Sequence, residues 1–190
     1  MILITGATGF VGRNLIKKLS KNEKVRCLIR KNIDFGENIE IVKGNLNDIE
    51  ILENATKDIS VVIHLASIIE SNNKKEFEKI NVEGTKNLIN ACKKNKIKKF
   101  IFVSSYDIVT NTLYGKSKAL AEHFVKNSGL PYIIFRPTVI YGLDNKKDIG
   151  KLIYIIKNYP LIPIPGRGEI KLQPIFIDDF VDLLIQGIKS

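Results

Sequence analysis

Thr5-Gly6-Ala7-Thr8-Gly9-Phe10-Val11-Gly12 follows a short apolar run, Met1–Thr5, and leads directly into an amphipathic segment, Phe10–Ser20. Glycines at this spacing between a strand and a helix have separate physical tasks. Gly6 permits the tight strand-to-helix turn, Gly9 lets backbone approach a pyrophosphate, and Gly12 lets helix and strand pack closely. The helix N-terminus then offers free N–H groups and a partial positive charge to phosphate oxygens. An ordinary glycine-rich turn needs neither the strand before it nor the helix after it, so the context points to a dinucleotide. The candidate phosphate-loop residues are Gly6, Thr8, Gly9, Phe10, Val11 and Gly12.

Outward from this loop, short apolar runs alternate with longer amphipathic ones. Strands are expected at Met1–Thr5, Val25–Ile29, Glu40–Lys43, Ser60–Leu65, Phe100–Ser104 and Tyr132–Phe135, with a seventh apolar run at Pro174–Ile177. Their Ile, Val and Phe content suits buried parallel strands. Helical spacing marks Phe10–Ser20, Phe77–Lys94, Thr112–Asn127 and Asp178–Lys189. Such alternation predicts an α/β fold, a Rossmann-type doubly wound parallel sheet with helices on both faces. Proline and glycine accumulate beyond residue 142, at Pro160, Pro163, Pro165, Gly166 and Gly168. The expected division is a dinucleotide-binding core at 1–142, a small substrate lobe at 143–172, and a strand and helix returning to the core at 173–190.

The 190 residues, 44% of them hydrophobic, suffice for one domain with a sizeable core. Two separated cysteines, Cys27 and Cys92, exclude a disulfide scaffold, and no Cys/His cluster suggests a metal. A reducing, cytoplasmic setting is the simplest expectation. No apolar run approaches the roughly 20 residues needed to span a bilayer, so no membrane association is expected. The net charge of +10 comes from 25 Lys and five Arg against 20 acids. Nucleic-acid binding would suit that sign. However, the densest run, Lys93, Lys94, Lys96, Lys98 and Lys99, has no interleaved aromatics and reads as a solvated surface.

The second strand ends Cys27-Leu28-Ile29-Arg30-Lys31. An acid here would bond the ribose 2′-hydroxyl of NAD. Arg30 instead suits a 2′-phosphate, which favours NADP over NAD. Tyr114 and Lys118 share one helix face, and Ser105 lies just past the fifth strand, at the end where such folds bind ligands. A lysine cation and the positive nicotinamide would lower the phenol's ordinary value of about 10, allowing Tyr114 to act as a base. Ser105 would orient the substrate oxygen. His64, alone in an apolar strand, reads as structural.

The ordered motifs resemble those of extended and atypical short-chain dehydrogenase/reductases, in particular the NAD(P)-dependent epimerase/dehydratase family. They are the glycine loop, Gly44-Asn45-Leu46-Asn47-Asp48, His64-Leu65-Ala66-Ser67, Asn81-Val82-Glu83-Gly84-Thr85, Val103-Ser104-Ser105, Tyr114-Gly115-Lys116-Ser117-Lys118 and Phe135-Arg136-Pro137-Thr138-Val139-Ile140-Tyr141-Gly142. The resemblance implies that Asn45 and Leu46 approach the adenine, while Leu65, Ala66 and Ser67 line the coenzyme. It implies that Asn81 supports that wall and that Pro137, Thr138 and Val139 meet the nicotinamide end. Ser105, Tyr114 and Lys118 would be the catalytic triad, with Tyr114 and Lys118 also touching the coenzyme. The implied substrate is a small molecule such as a nucleotide sugar, and the implied assembly a homodimer through the helices at 77–94 and 112–127. Asn45 departs from the family's usual Asp, and the Ser105–Tyr114 loop is short. The chain also ends at Ser190, where full-length relatives continue into a substrate-binding lobe. That leaves a shortened member or a piece of a longer chain as alternatives. The competing function is a coenzyme-binding redox sensor or assembly protein without turnover.

Overall fold

The computed structural model describes residues 1–31, 33–36, 38–143, 145, 149–161 and 172–190. Six parallel strands form its main sheet: β1 (Ile2–Thr5), β2 (Val25–Ile29), β3 (Ile39–Lys43), β4 (Val61–His64), β5 (Lys99–Val103) and β6 (Tyr132–Phe135). Their spatial order is β3-β2-β1-β4-β5-β6, so the winding reverses beside β1 and opens a crevice between β1 and β4.

Alternation along the strands sends side chains to two separate cores. Ile2, Ile4, Val25, Cys27, Ile63 and Ile101 face one side, where they meet α1 (Phe10–Leu19) and α7 (Ile177–Lys189). Leu3, Leu28, Val62, Phe100 and Phe102 face the other, against α2 (Ile49–Thr56), α4 (Gly84–Lys94) and α5 (Leu113–Lys126). Burying both faces of a sheet is what requires near-continuous apolar strands. The doubly wound arrangement expected from the sequence is therefore present, with helices on both faces.

Several elements differ from the sequence reading. Residues 77–94 do not form one uniform helix. A short α3 (Lys74–Phe77) passes into a π-helical turn, Glu78–Glu83, before α4. Helix α2 escaped notice because it is only 8 residues long, although Asp48 caps it with a side-chain bond from the Ile51 amide of 3.1 Å. The run Pro174–Ile177 adds no seventh strand to the main sheet. Ile175–Phe176 (β8) pairs with Ile140–Tyr141 (β7) in a separate two-stranded sheet, and Ile177 already begins α7. Helix α6 (Ile149–Asn158) was also unforeseen. Of the loop-rich stretch expected after residue 142, Pro163, Pro165, Gly166 and Gly168 lie outside the described residues. Among the described residues, no helix is long and apolar enough to cross a membrane. Two lysines of the basic run have intramolecular tasks: Lys94 pairs with Glu53, and Lys99 bonds the Gly187 carbonyl near the end of α7.

Candidate functional site

The carboxyl ends of β1, β2, β4, β5 and β6 open into one cleft of about 2090 Å³. Six of its lining residues, Gly6, Thr8, Gly9, Phe10, Val11 and Gly12, come from the glycine loop. Gly6 has φ +74°, which L side chains rarely adopt, and a Cβ there would lie 2.6 Å from the Ala66 nitrogen. A Cβ on Gly12 would lie 2.4 Å from the Gly6 carbonyl oxygen. These two positions lock the loop against itself and against the end of β4. Gly9 differs: it is exposed to the cleft, and it caps α1 without any side-chain bond to the first-turn amides. An uncapped helix start aimed into a cleft has the donor set that a pyrophosphate requires.

Arg30 stands exposed at the end of β2 and lines the same cleft. Asn45 and Leu46 line it next. The Asn45 side-chain oxygen accepts the Asn47 amide at 2.8 Å, and the buried Leu46 receives Asn87 at its carbonyl. Leu65, Ala66 and Ser67 follow from β4, and Pro137, Thr138 and Val139 from the end of β6. The β6 extension is tied back to α5 by a two-pronged ion pair. Arg136 Nε and Nη2 donate to Glu122 at 2.9 and 2.7 Å. Burial pushes the Glu122 carboxyl up, but Arg136, with Ser104 and Lys126, outweighs it and holds the group below its ordinary value. Thr138 also donates to the Gln173 carbonyl, which links the wall to the stretch before β8.

Ser105 and Tyr114 both line the cleft, within hydrogen-bonding reach of each other. Ser105 starts a 3-10 turn, Tyr106–Val109, and its hydroxyl accepts the Asp107 amide at 3.1 Å and donates to the Asp107 carboxylate at 3.1 Å. Gly115 makes the approach possible, because a Cβ there would lie 2.0 Å from the Asp107 carbonyl oxygen. The expected lowering of the phenol does not hold here. Burial raises the Tyr114 pKa and the Asp107 charge adds to it, while hydrogen bonding with Ser105 and Ser67 opposes them.

Lys118 explains part of that difference. It is fully buried, its ammonium donates to the Val103 carbonyl at 2.6 Å, and it lies 4.2 Å from the Phe102 ring centroid. Burial lowers its pKa to about 7, with Glu122 pulling the other way. Lys118 and Asn81 are the two expected site residues that do not line the cleft. Asn81 sits in the π turn and bonds the backbone of Ile68. Its side chain accepts the Ile68 amide at 2.8 Å and donates to the Ile68 carbonyl at 3.0 Å. The sequence reading missed Asp107, whose signal was an acid two residues past the candidate serine. Among the described residues, no group of three His, Cys, Asp or Glu side chains could hold a metal ion.

Residues 2–190 match the NAD dependent epimerase/dehydratase family. A dTDP-D-glucose 4,6-dehydratase from Dictyostelium discoideum is 32% identical over 95% of this chain and 53% of its own length. A UDP-glucose 4-epimerase from Vibrio cholerae is 29% identical over 98% of this chain and 66% of its own length. The chain thus spans between about half and two thirds of these relatives. In fold, it matches the UDP-glucuronic acid 4-epimerase of Bacillus cereus, solved in complex with NAD, with a TM-score of 0.86. That match has 24% identity and covers 100% of this chain and 74% of the other. The family match runs over nearly the whole length, and this chain belongs to the NAD dependent epimerase/dehydratase family.

Proposed function

We propose that this chain binds a pyridine dinucleotide, preferentially the 2′-phosphorylated form. We further propose that it works on a hydroxyl or carbonyl carbon of a nucleotide sugar through Ser105, Tyr114 and Lys118. The observation that carries this reading is the shared cleft: the uncapped N-terminus of α1 at Gly9 and the Ser105–Tyr114 pair line one cavity. Gly9 to Gly12 would hold the pyrophosphate, Asn45 and Leu46 the adenine side, and Pro137 to Val139 the nicotinamide side. Arg30 supports the preference for NADP, since no acid takes the ribose position at the end of β2. In the same reading, 1–142 is the coenzyme-binding core, 143–172 the reduced substrate-binding segment, and 173–190 a strand and helix packing back on the core.

Bound there, the nicotinamide supplies or accepts hydride. The chain's own residues move the proton. Tyr114 takes it from a substrate hydroxyl or returns it to a carbonyl, and Ser105 holds the same oxygen by hydrogen bonding. A raised phenol favours the protonated form, so the resting site is set to donate; a cationic partner nearby would shift it toward the base. Lys118, one helical turn along the sequence, would act as that partner on leaving the Val103 carbonyl. A second reading, binding without turnover, draws support from Lys118 being held on the Val103 carbonyl.

Incubating the chain with NADP(H) or NAD(H) and a panel of nucleotide sugars, while following absorbance and products, separates the two. The proposal expects turnover that Tyr114→Phe abolishes while coenzyme binding persists. Saturable binding with no product from any sugar, unchanged by Tyr114→Phe, favours the second reading.

A further inference from the structure

Among the described residues, His64 is the one fully buried titratable ring on the sheet, and the proton-transfer chemistry above does not use it. Its surroundings fix every proton nearby. Thr85 Oγ1 donates to the Asn81 carbonyl at 2.6 Å, and a hydroxyl has one proton. Toward His64 Nε2, 2.9 Å away, Thr85 can therefore only accept. Nε2 carries the ring proton, so Nδ1 must accept, and it does so from Thr5 Oγ1 at 2.6 Å. The Thr5 hydroxyl oxygen accepts the Ala66 amide at 3.3 Å. At the other end, Asn81 Nδ2 donates to Ser117 Oγ at 2.9 Å, and Ser117 donates to the Tyr114 carbonyl at 2.7 Å.

The chain of bonds runs from Ala66, which touches the glycine loop beneath Gly6, to the backbone of Tyr114. No donor or acceptor along it is used twice in conflicting roles. From this geometry we infer that His64 is a positioning residue: a neutral ring protonated on Nε2 that sets the spacing between the glycine loop and the helix turn presenting Tyr114. A second proton on the ring would face Thr5 Oγ1, which could then no longer donate to Nδ1. Burial and the nearby Lys118 charge both favour the neutral ring, holding its pKa near 3. The inference rests on the coenzyme reading and extends it to a residue that touches neither coenzyme nor substrate.

Thr85→Val removes the acceptor for Nε2 with little change in volume, and Thr85→Ser restores it. Coenzyme dissociation constants are measured by calorimetry for these two variants and wild type, each again with Tyr114→Phe, at temperatures where all are folded. A residue that only supports the fold would leave affinity unchanged in folded protein. The inference expects Thr85→Val to weaken binding about tenfold, Thr85→Ser to recover it, and the Thr85→Val effect to shrink in the Tyr114→Phe background. Equal effects in both backgrounds, or no effect, overturn it while leaving the coenzyme reading intact. Wild type that binds no coenzyme overturns both.

Nitrogen-15 spectra of the wild-type imidazoles provide a test without substitutions. The inference expects His64 to show a protonated Nε2 and a bare Nδ1 throughout pH 5 to 8, with shifts that move on adding coenzyme. A protonated Nδ1, or shifts indifferent to coenzyme, contradicts it.

Discussion

The six-stranded half and the segment around α6 are built on opposite terms. In the first, Leu3, Ile4, Ile63, Phe100 and Phe102 are completely buried, and the side chains that brace the cleft are satisfied by named partners. In α6, by contrast, none of the described residues is buried: Leu152 is 41% exposed and Tyr154 61%. Backbone geometry in the first region is set by close contacts at Gly6 and Gly12. The second region presents apolar side chains on a helix face, and its residues are interchangeable as far as this chain's own stability goes.

The strongest attempt to break this contrast is Gly12→Ala. Its added methyl would lie 2.4 Å from a backbone oxygen with no room to yield. The expected loss is about 3 kcal/mol of stability, read as a lower denaturation midpoint. A midpoint unchanged from wild type would show that the loop is not tightly packed.

Lys118→Met has a smaller effect of opposite sign. Burial lowers the folded pKa of Lys118 from 10.5 to about 7. Between those values the unfolded chain binds the extra proton and the folded chain does not, so stability rises with pH across that interval and levels off below 7. Replacing the ammonium with an apolar group of similar shape should raise stability at neutral pH by about 1 kcal/mol. It should also remove Lys118's share of the slope, at the cost of turnover. Denaturation midpoints across that pH interval check both parts. A loss of stability on substitution would mean that the bond to the Val103 carbonyl outweighs the burial of charge.

Least affected is α6. Ile153, 44% exposed, should tolerate Ser with a change within about 0.5 kcal/mol. A large loss would show that the helix is held by this chain after all.

The same contrast explains what could be read before the structure. Val25–Ile29 and Tyr132–Phe135 were bounded correctly because buried parallel strands leave an uninterrupted apolar signature. The glycine loop was legible because a left-handed turn and a helix–strand contact leave few alternatives to glycine. Helix α2 was too short for its periodicity to register, and the π turn depends on where Asn81 must point rather than on any local propensity. The position of Lys118 was misjudged for another reason. Spacing puts it on the face of Tyr114, but only tertiary packing decides that its ammonium turns to the Val103 carbonyl and the Phe102 ring. The phenol is raised by burial and by the Asp107 charge, neither of which the Tyr–Lys spacing reveals. Asp107 was passed over because a single acid in a loop has no pattern of its own.

Gly9 allows the central claim to be tested without disturbing the fold. It is exposed, has extended backbone at φ −76° and ψ 172°, and a Cβ there meets only the Gly6 carbonyl oxygen, at 3.3 Å. Gly9→Val asks that oxygen to yield by a few tenths of an ångström, so it should fold with a modestly lower midpoint while filling the space a pyrophosphate needs. Calorimetric titration of both proteins with NADP and NAD, oxidised and reduced, is the most direct measurement. The account predicts saturable one-site heat for wild type, tighter for the 2′-phosphorylated coenzyme, and none for Gly9→Val at a temperature where both proteins are folded. Well-folded wild type that gives no heat with any of the four, or Gly9→Val that binds as wild type does, would contradict it.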